Sequence, residues 1–146
     1  MPPKPQDDDD LDDEEFTDNV GGDEAAILQQ QKAKESEVTG LLNKGDAAAA
    51  LKAAVQNPPI TSGDAKTKKV AADSFYQVAA AIKEADLKKA IDGFSEDELV
   101  TLMKYVFQGL SQNKNQPTLL KAHEAVVEKG GLGVIMRVLT DRRTVA

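Results

Sequence analysis

Wherever apolar residues are dense in this chain, they recur at helical spacing. Ala71, Phe75, Val78 and Ile82 step by four, three and four residues, which places them on one face of a helix. That helix starts at Ser62 or Asp64, runs to about Ala85, and is expected to be the longest. Leu99, Leu102, Met103, Val106 and Leu110 repeat the pattern after Ser95. Ser95 and Glu98 have capping-box spacing, in which each side chain satisfies the other's orphan backbone donor. Leu119, Leu120, His123, Val126 and Val127 line a further helix opened by Thr118. The β-branched residues follow the same period instead of alternating, so no strand is predicted.

Breaks between these stripes carry recognisable end signals. A helix-favouring stretch runs from Asp23 and Glu24 to Leu42, but its apolar face is sparse before Val38. With Gln29-Gln30-Gln31 and mixed Lys and Glu, it reads as solvated or partly formed. Gly45 is placed to take the left-handed turn after it, and Asp46 to cap the short helix Ala47 to Val55. Asn57-Pro58-Pro59 stops that helix, because proline lacks the N–H and disfavours helix in the residue before it. Asp86 is expected to cap another short helix ending at Gly93. Ser111 to Pro117 is a polar loop, and Gly130-Gly131 separates the last helix, Leu132 to Thr140.

Three of these breaks resemble one another: Leu42 to Asp46, Ile82 to Asp86, and Val127 to Gly131, at intervals of forty and forty-five residues. Periods of about 40–47 residues belong to helical arrays whose units bury their faces against neighbours. The expected fold is therefore all-α: about seven helices stacked as an α-solenoid-like array.

Charge divides the chain in two. Residues 1–24 hold eleven acids against one lysine, whereas the remaining residues hold fourteen acids and seventeen bases. The net charge of −7 thus comes from an arm that includes the run Asp7 to Asp10 and Asp12 to Glu15. So polar a segment, with Pro2, Pro3 and Pro5, buries too little apolar surface to offset its chain entropy and is expected to be disordered when free. This gives a flexible arm over 1–24 and a helical domain over 25–146. Acidity of this kind is repelled by phosphate, which argues against nucleic acid as the main partner. No signal-peptide pattern and no membrane span are read in the sequence, so a soluble intracellular protein is expected.

Candidate chemistry is thin. The chain has no cysteine, which excludes a disulfide framework, a thiolate metal site and a thiol nucleophile. His123 is its only histidine, on the apolar side of its helix with no partner acid at helical spacing; it reads as a packed histidine donating to a backbone carbonyl. The aspartate run fails as an EF-hand loop: counted from Asp8, the required Gly and Glu positions hold Asp13 and Asn19. Gly130-Gly131-Leu132-Gly133 follows no strand and lacks the lysine and hydroxyl of a phosphate loop. No catalytic, cofactor-binding or metal residue is predicted, and the expectation is a protein that is not an enzyme.

Two features suggest recognition. Leu11, Phe16 and Val20 are spaced through the acidic arm, an arrangement in which apolar anchors dock while carboxylates steer toward a basic surface. The closing helix Leu132 to Leu139 is apolar on more than one face. A terminal helix has only one side toward its own core, so a partner is expected to cover the other.

Several segments resemble a known family. Leu41 to Asp46, Gln56 to Ile60, Leu102 to Gly109, His123-Glu124, and above all Gly130 to Val145 look like subunit 5, the 16-kDa subunit, of the actin-related protein 2/3 complex. The likeness runs from about Glu37 to the C terminus, while the acidic N terminus is similar only in character. It implies a non-catalytic, all-helical subunit, binding no ATP and no other cofactor, of a cytoplasmic seven-protein assembly that nucleates branched actin filaments. It further implies a body held by subunit 4 and the β-propeller subunit 1, with an arm reaching actin-related protein 2 through Phe16 and its neighbours. Val134, Arg137 and Val138, with Arg142 and Arg143 just beyond, would then lie at an inter-subunit contact. From another class, the alternative is an acidic-tailed helical chaperone or adaptor whose aspartate run masks a basic client.

Overall fold

A computed structural model describes residues 24–60, 62–141 and 145, and over them the chain is entirely helical. Six helices follow one another: α1 (Glu24–Asn43), α2 (Ala47–Val55), α3 (Ala65–Ala81), α4 (Glu84–Asp92), α5 (Glu96–Ser111) and α6 (Gln116–Thr140). There is no strand among the described residues. The acidic arm with Leu11, Phe16 and Val20 lies outside the described residues, as do Arg142 and Arg143.

End signals account for most boundaries. Gly45, at φ 81°, closes α1: its N–H bonds the Leu42 carbonyl, and that of Asp46 bonds the Leu41 carbonyl, the paired bonds of a Schellman turn. Asp46 then caps α2 by accepting from the Ala49 N–H at 3.0 Å. Asp64 caps α3 through the Lys66 N–H. Ser95 caps α5 through the Glu98 N–H at 3.4 Å, but Glu98 Oε2 is buried without a hydrogen-bond partner, so the box is only half made.

Two expectations about order along the chain are corrected. The helix expected to reach Ala85 stops at Ala81: Ile82 and Lys83 are extended, and α4 begins at Glu84, so Asp86 sits in its first turn and is not its cap. Ile82 is buried, and Glu84 and Asp86 both place negative charge at the positive end of the α4 dipole. Nor is α3 the longest helix, since α1 and α6 both exceed it.

Packing runs mostly between helices adjacent or next-but-one along the chain. The alanine-rich α2 packs against α1, α3, α4 and α5, and α1 lies along α3. Ala50 and Ala54 are fully buried there, and their small side chains let the neighbouring backbones approach closely. Helices α4 and α5 both pack on α6, and α5 and α6 form the most extensive pair. The core centres on Phe75, which stacks on Tyr105 at 5.1 Å between centroids and meets Tyr76 edge-on at 5.6 Å. Among the described residues the helices number six, against about seven expected. The difference lies in α6, which runs through the Gly130-Gly131 break with a kink at Gly131.

Candidate docking face

The kink decides what the end of the molecule presents. Gly131 adopts φ 67° and ψ −168°, a conformation available essentially only to glycine. It redirects the end of α6 so that Val134 lies against Gly130, which Leu99 of α5 also approaches. Val134 is buried, and Ile135 and Val138 are partly buried against the same core. The opposite side carries Leu132, Met136 and Leu139, at 71%, 64% and 74% exposure. Their spacing of four and three residues makes one apolar stripe along the outer face.

Polar contacts hold this segment in place. Lys104 of α5, nearly buried, pairs with Asp141 just beyond α6 at 2.8 Å. Arg137 donates to Asp97 at 2.9 Å, and Glu96 lies 3.9 Å away, both at the start of α5. This last pair is exposed, so it orients more than it stabilises. Lys129 reaches the Ile91 and Asp92 carbonyls at the C-terminal end of α4, satisfying acceptors that a helix end leaves free. Val145 is buried, so the chain folds back onto the body after α6.

Of the candidate residues in the closing helix, Val134 faces the chain's own core, Val138 is half-buried, and Arg137 is exposed but engaged with α5. In the closing helix the large apolar side chains open to solvent are Leu132, Met136 and Leu139, none of them among the candidate contact residues. Their four-and-three spacing was a usable signal; what it lacked was the direction set by the kink. His123 is half-buried with its ring 5.9 Å from that of Phe107, an aromatic contact. Among the described residues no group of three or more His, Cys, Asp or Glu side chains could hold a metal ion, and no helix is long and apolar enough to cross a membrane.

Two further features belong to α1 and to the surface of α3. The sparse first half of α1 is fastened by polar side chains. Glu24 accepts from the Ser62 hydroxyl at 2.6 Å and from the Gly63 N–H at 3.0 Å. Gln31, buried, donates to the Asn57 carbonyl, and Lys34 donates to the Gln56 carbonyl at 2.9 Å, with Ala54 and Asn57 nearby. Lys34 thereby caps α2, and burial pushes its ammonium pKa down to about 8. The second feature is an open groove of about 430 Å³ over α3 and the α5–α6 turn, lined by Gly63, Lys68, Lys69, Asp73, Tyr76 and Lys114 among others. Lys114 stands over the Tyr76 ring, 4.7 Å from its centroid.

The comparison with known proteins bears on this architecture. Residues 4–145 match the family model described as ARP2/3 complex 16 kDa subunit (p16-Arc). The chain belongs to the p16-Arc family. It is 37% identical over 112 residues to actin-related protein 2/3 complex subunit 5 of Dictyostelium discoideum, covering 77% of this chain and 81% of that protein. It is 35% identical over 112 residues to the human subunit 5-like protein, covering 75% and 73%. With subunit 5-C of Xenopus laevis the identity is 32% over 118 residues, covering 80% and 79%. The p16-Arc match includes α6 and its outer stripe, so the face left open by the kink is part of what the family model describes.

Proposed function

We propose that this chain is a non-catalytic structural subunit of the actin-related protein 2/3 complex, working in the cytoplasm on branched actin filaments. The observation that carries the reading is the stripe Leu132, Met136 and Leu139 on a helix whose other side is already satisfied by its own core. Family membership supports it, since the relatives are named as subunits of that complex. Fully burying a Leu or Met side chain contributes about 1.5–3 kcal/mol, so covering three supplies a substantial docking term. The neighbours that cover the body are subunit 4 and propeller subunit 1. Val138 and Arg137 flank the stripe at the edge of that contact, with Val134 supporting it from beneath; Arg142 and Arg143, outside the described residues, are assigned to the same contact by the family resemblance.

The arm acts by effective concentration. Tied to a docked body, Leu11, Phe16 and Val20 keep actin-related protein 2 near the assembly even when the direct interface between them is open. The test is reconstitution of the complex with a chain lacking residues 1–24. The expected result is normal incorporation of the body with weaker retention of actin-related protein 2 and reduced branching. Full retention and full branching activity contradict the tether. An arm that by itself captures basic proteins in a salt-sensitive way would favour the chaperone reading instead.

A further inference from the structure

We propose that the basic groove over α3 and the α5–α6 turn is the resting place of this chain's own acidic arm, with residues 7–15 as its occupant. Charge is the first argument. The groove is lined by Lys68, Lys69 and Lys114 and by one acid, Asp73, with Lys69 and Lys114 exposed. Residues 7–15 carry eight acids and no base. A net-negative chain places the complementary segment and the complementary surface in the same molecule.

Connectivity is the second argument. The arm leaves the body at Glu24, whose carboxylate is held by Ser62 and Gly63, and Gly63 itself lines the groove. The arm therefore starts at the groove's rim. From Glu24 back to Asp13 is eleven residues, an extended reach of about 36 Å at about 3.3 Å per residue. The stretch of α3 from Ala65 to Tyr76 rises only about 17 Å at about 1.5 Å per residue, so the acidic run spans the groove with slack. A connection this short gives an effective concentration of about the millimolar range, so even a weak charge match is populated.

The docked arm is a held-back arm: it is released when a partner offers a better match than the lysines, and the contact is weakened by salt. This inference concerns the free chain and does not depend on which assembly the chain joins. Its test uses the full-length protein alone. Because the chain has no cysteine, Asp10→Cys provides a unique attachment point for a nitroxide, and paramagnetic broadening of backbone amides reports what the arm touches. The expected result is broadening centred on Lys69, Gln108, Gln112 and Lys114 at about 0.1 M salt. It should be lost at about 1 M salt, where the screening length falls from about 10 Å to about 3 Å. It should also be lost in K69E/K114E, and recovered when those changes are combined with Asp7→Lys, Asp8→Lys, Asp12→Lys and Asp13→Lys. Broadening that is unchanged in K69E/K114E, or that centres on Leu132, Met136 and Leu139, overturns the proposal and leaves the role in the complex untouched.

Discussion

Gly109 and Leu119 meet with no room for a side chain between them: a Cβ on Gly109 would lie 2.5 Å from Leu119 Cδ1 and 2.8 Å from the Tyr76 ring. This is where α5, α6 and α3 come closest, and all three residues are buried. Overpacking a site of this kind costs about 1–3 kcal/mol. Gly109→Ala is therefore expected to lower unfolding free energy by that amount, read from the midpoint of urea denaturation. Gly40 makes the contrast, because in the last turn of α1 its Cβ would meet nothing within 4 Å. Gly40→Ala is expected to stabilise by about 0.5–1 kcal/mol.

Gly131 is constrained by backbone and not by neighbours. A Cβ there would meet nothing within 4 Å, yet φ 67° with ψ −168° strains any other residue. Gly131→Ala is expected to destabilise by about 1–3 kcal/mol and to loosen Val134 from its contact with Gly130. Faster amide exchange over Val134 to Leu139, with α1 to α4 unchanged, is the signature. Uniform exchange changes contradict a local role for the kink.

Lys34 predicts a pH dependence with a definite sign. Its folded pKa is pushed down to about 8, below its unfolded value of about 10.4, so between those values the unfolded chain binds more protons. Stability should therefore rise with pH from about 8 to about 10, as the cost of keeping Lys34 charged is relieved in the folded state. Above about 10 the buried phenols of Tyr105 and Tyr76 oppose this, since burial raises their pKa values and folding loses stability as the unfolded tyrosines ionise. Lys34→Met should remove the rise below pH 10 and leave the decline above it. Parallel stability profiles for the two proteins contradict this origin.

Most helix boundaries were legible because each rests on a local signal: Gly45 with Asp46, Asn57 before two prolines, Ser95 ahead of an apolar run. The break after α3 was legible as a segment, Ile82 to Asp86, but its end and cap fall a few residues before their expected places because no Gly or Pro marks them; Ile82 is extended and buried in the core. The fastening of α1 was hidden. Glu24, Gln31 and Lys34 read as solvated when seen along the helix, and their partners lie 20 to 39 residues away. The repeat-like breaks pointed to stacked helices, and most packing among the described residues joins helices adjacent or next-but-one along the chain. In the closing helix a second apolar face was readable from composition. Which residues formed it depended on the rotation at Gly131, a torsion that no spacing pattern encodes.

The central claim is that the outer stripe of α6 docks on neighbouring subunits, and the triple variant L132E/M136E/L139E tests it most directly. These positions are exposed, so the isolated variant should unfold within about 0.5 kcal/mol of wild type. Introduced into cells in place of the normal chain and recovered by affinity purification, it should fail to bring down the other subunits of the complex. Stoichiometric recovery of the complex with the variant would contradict the account.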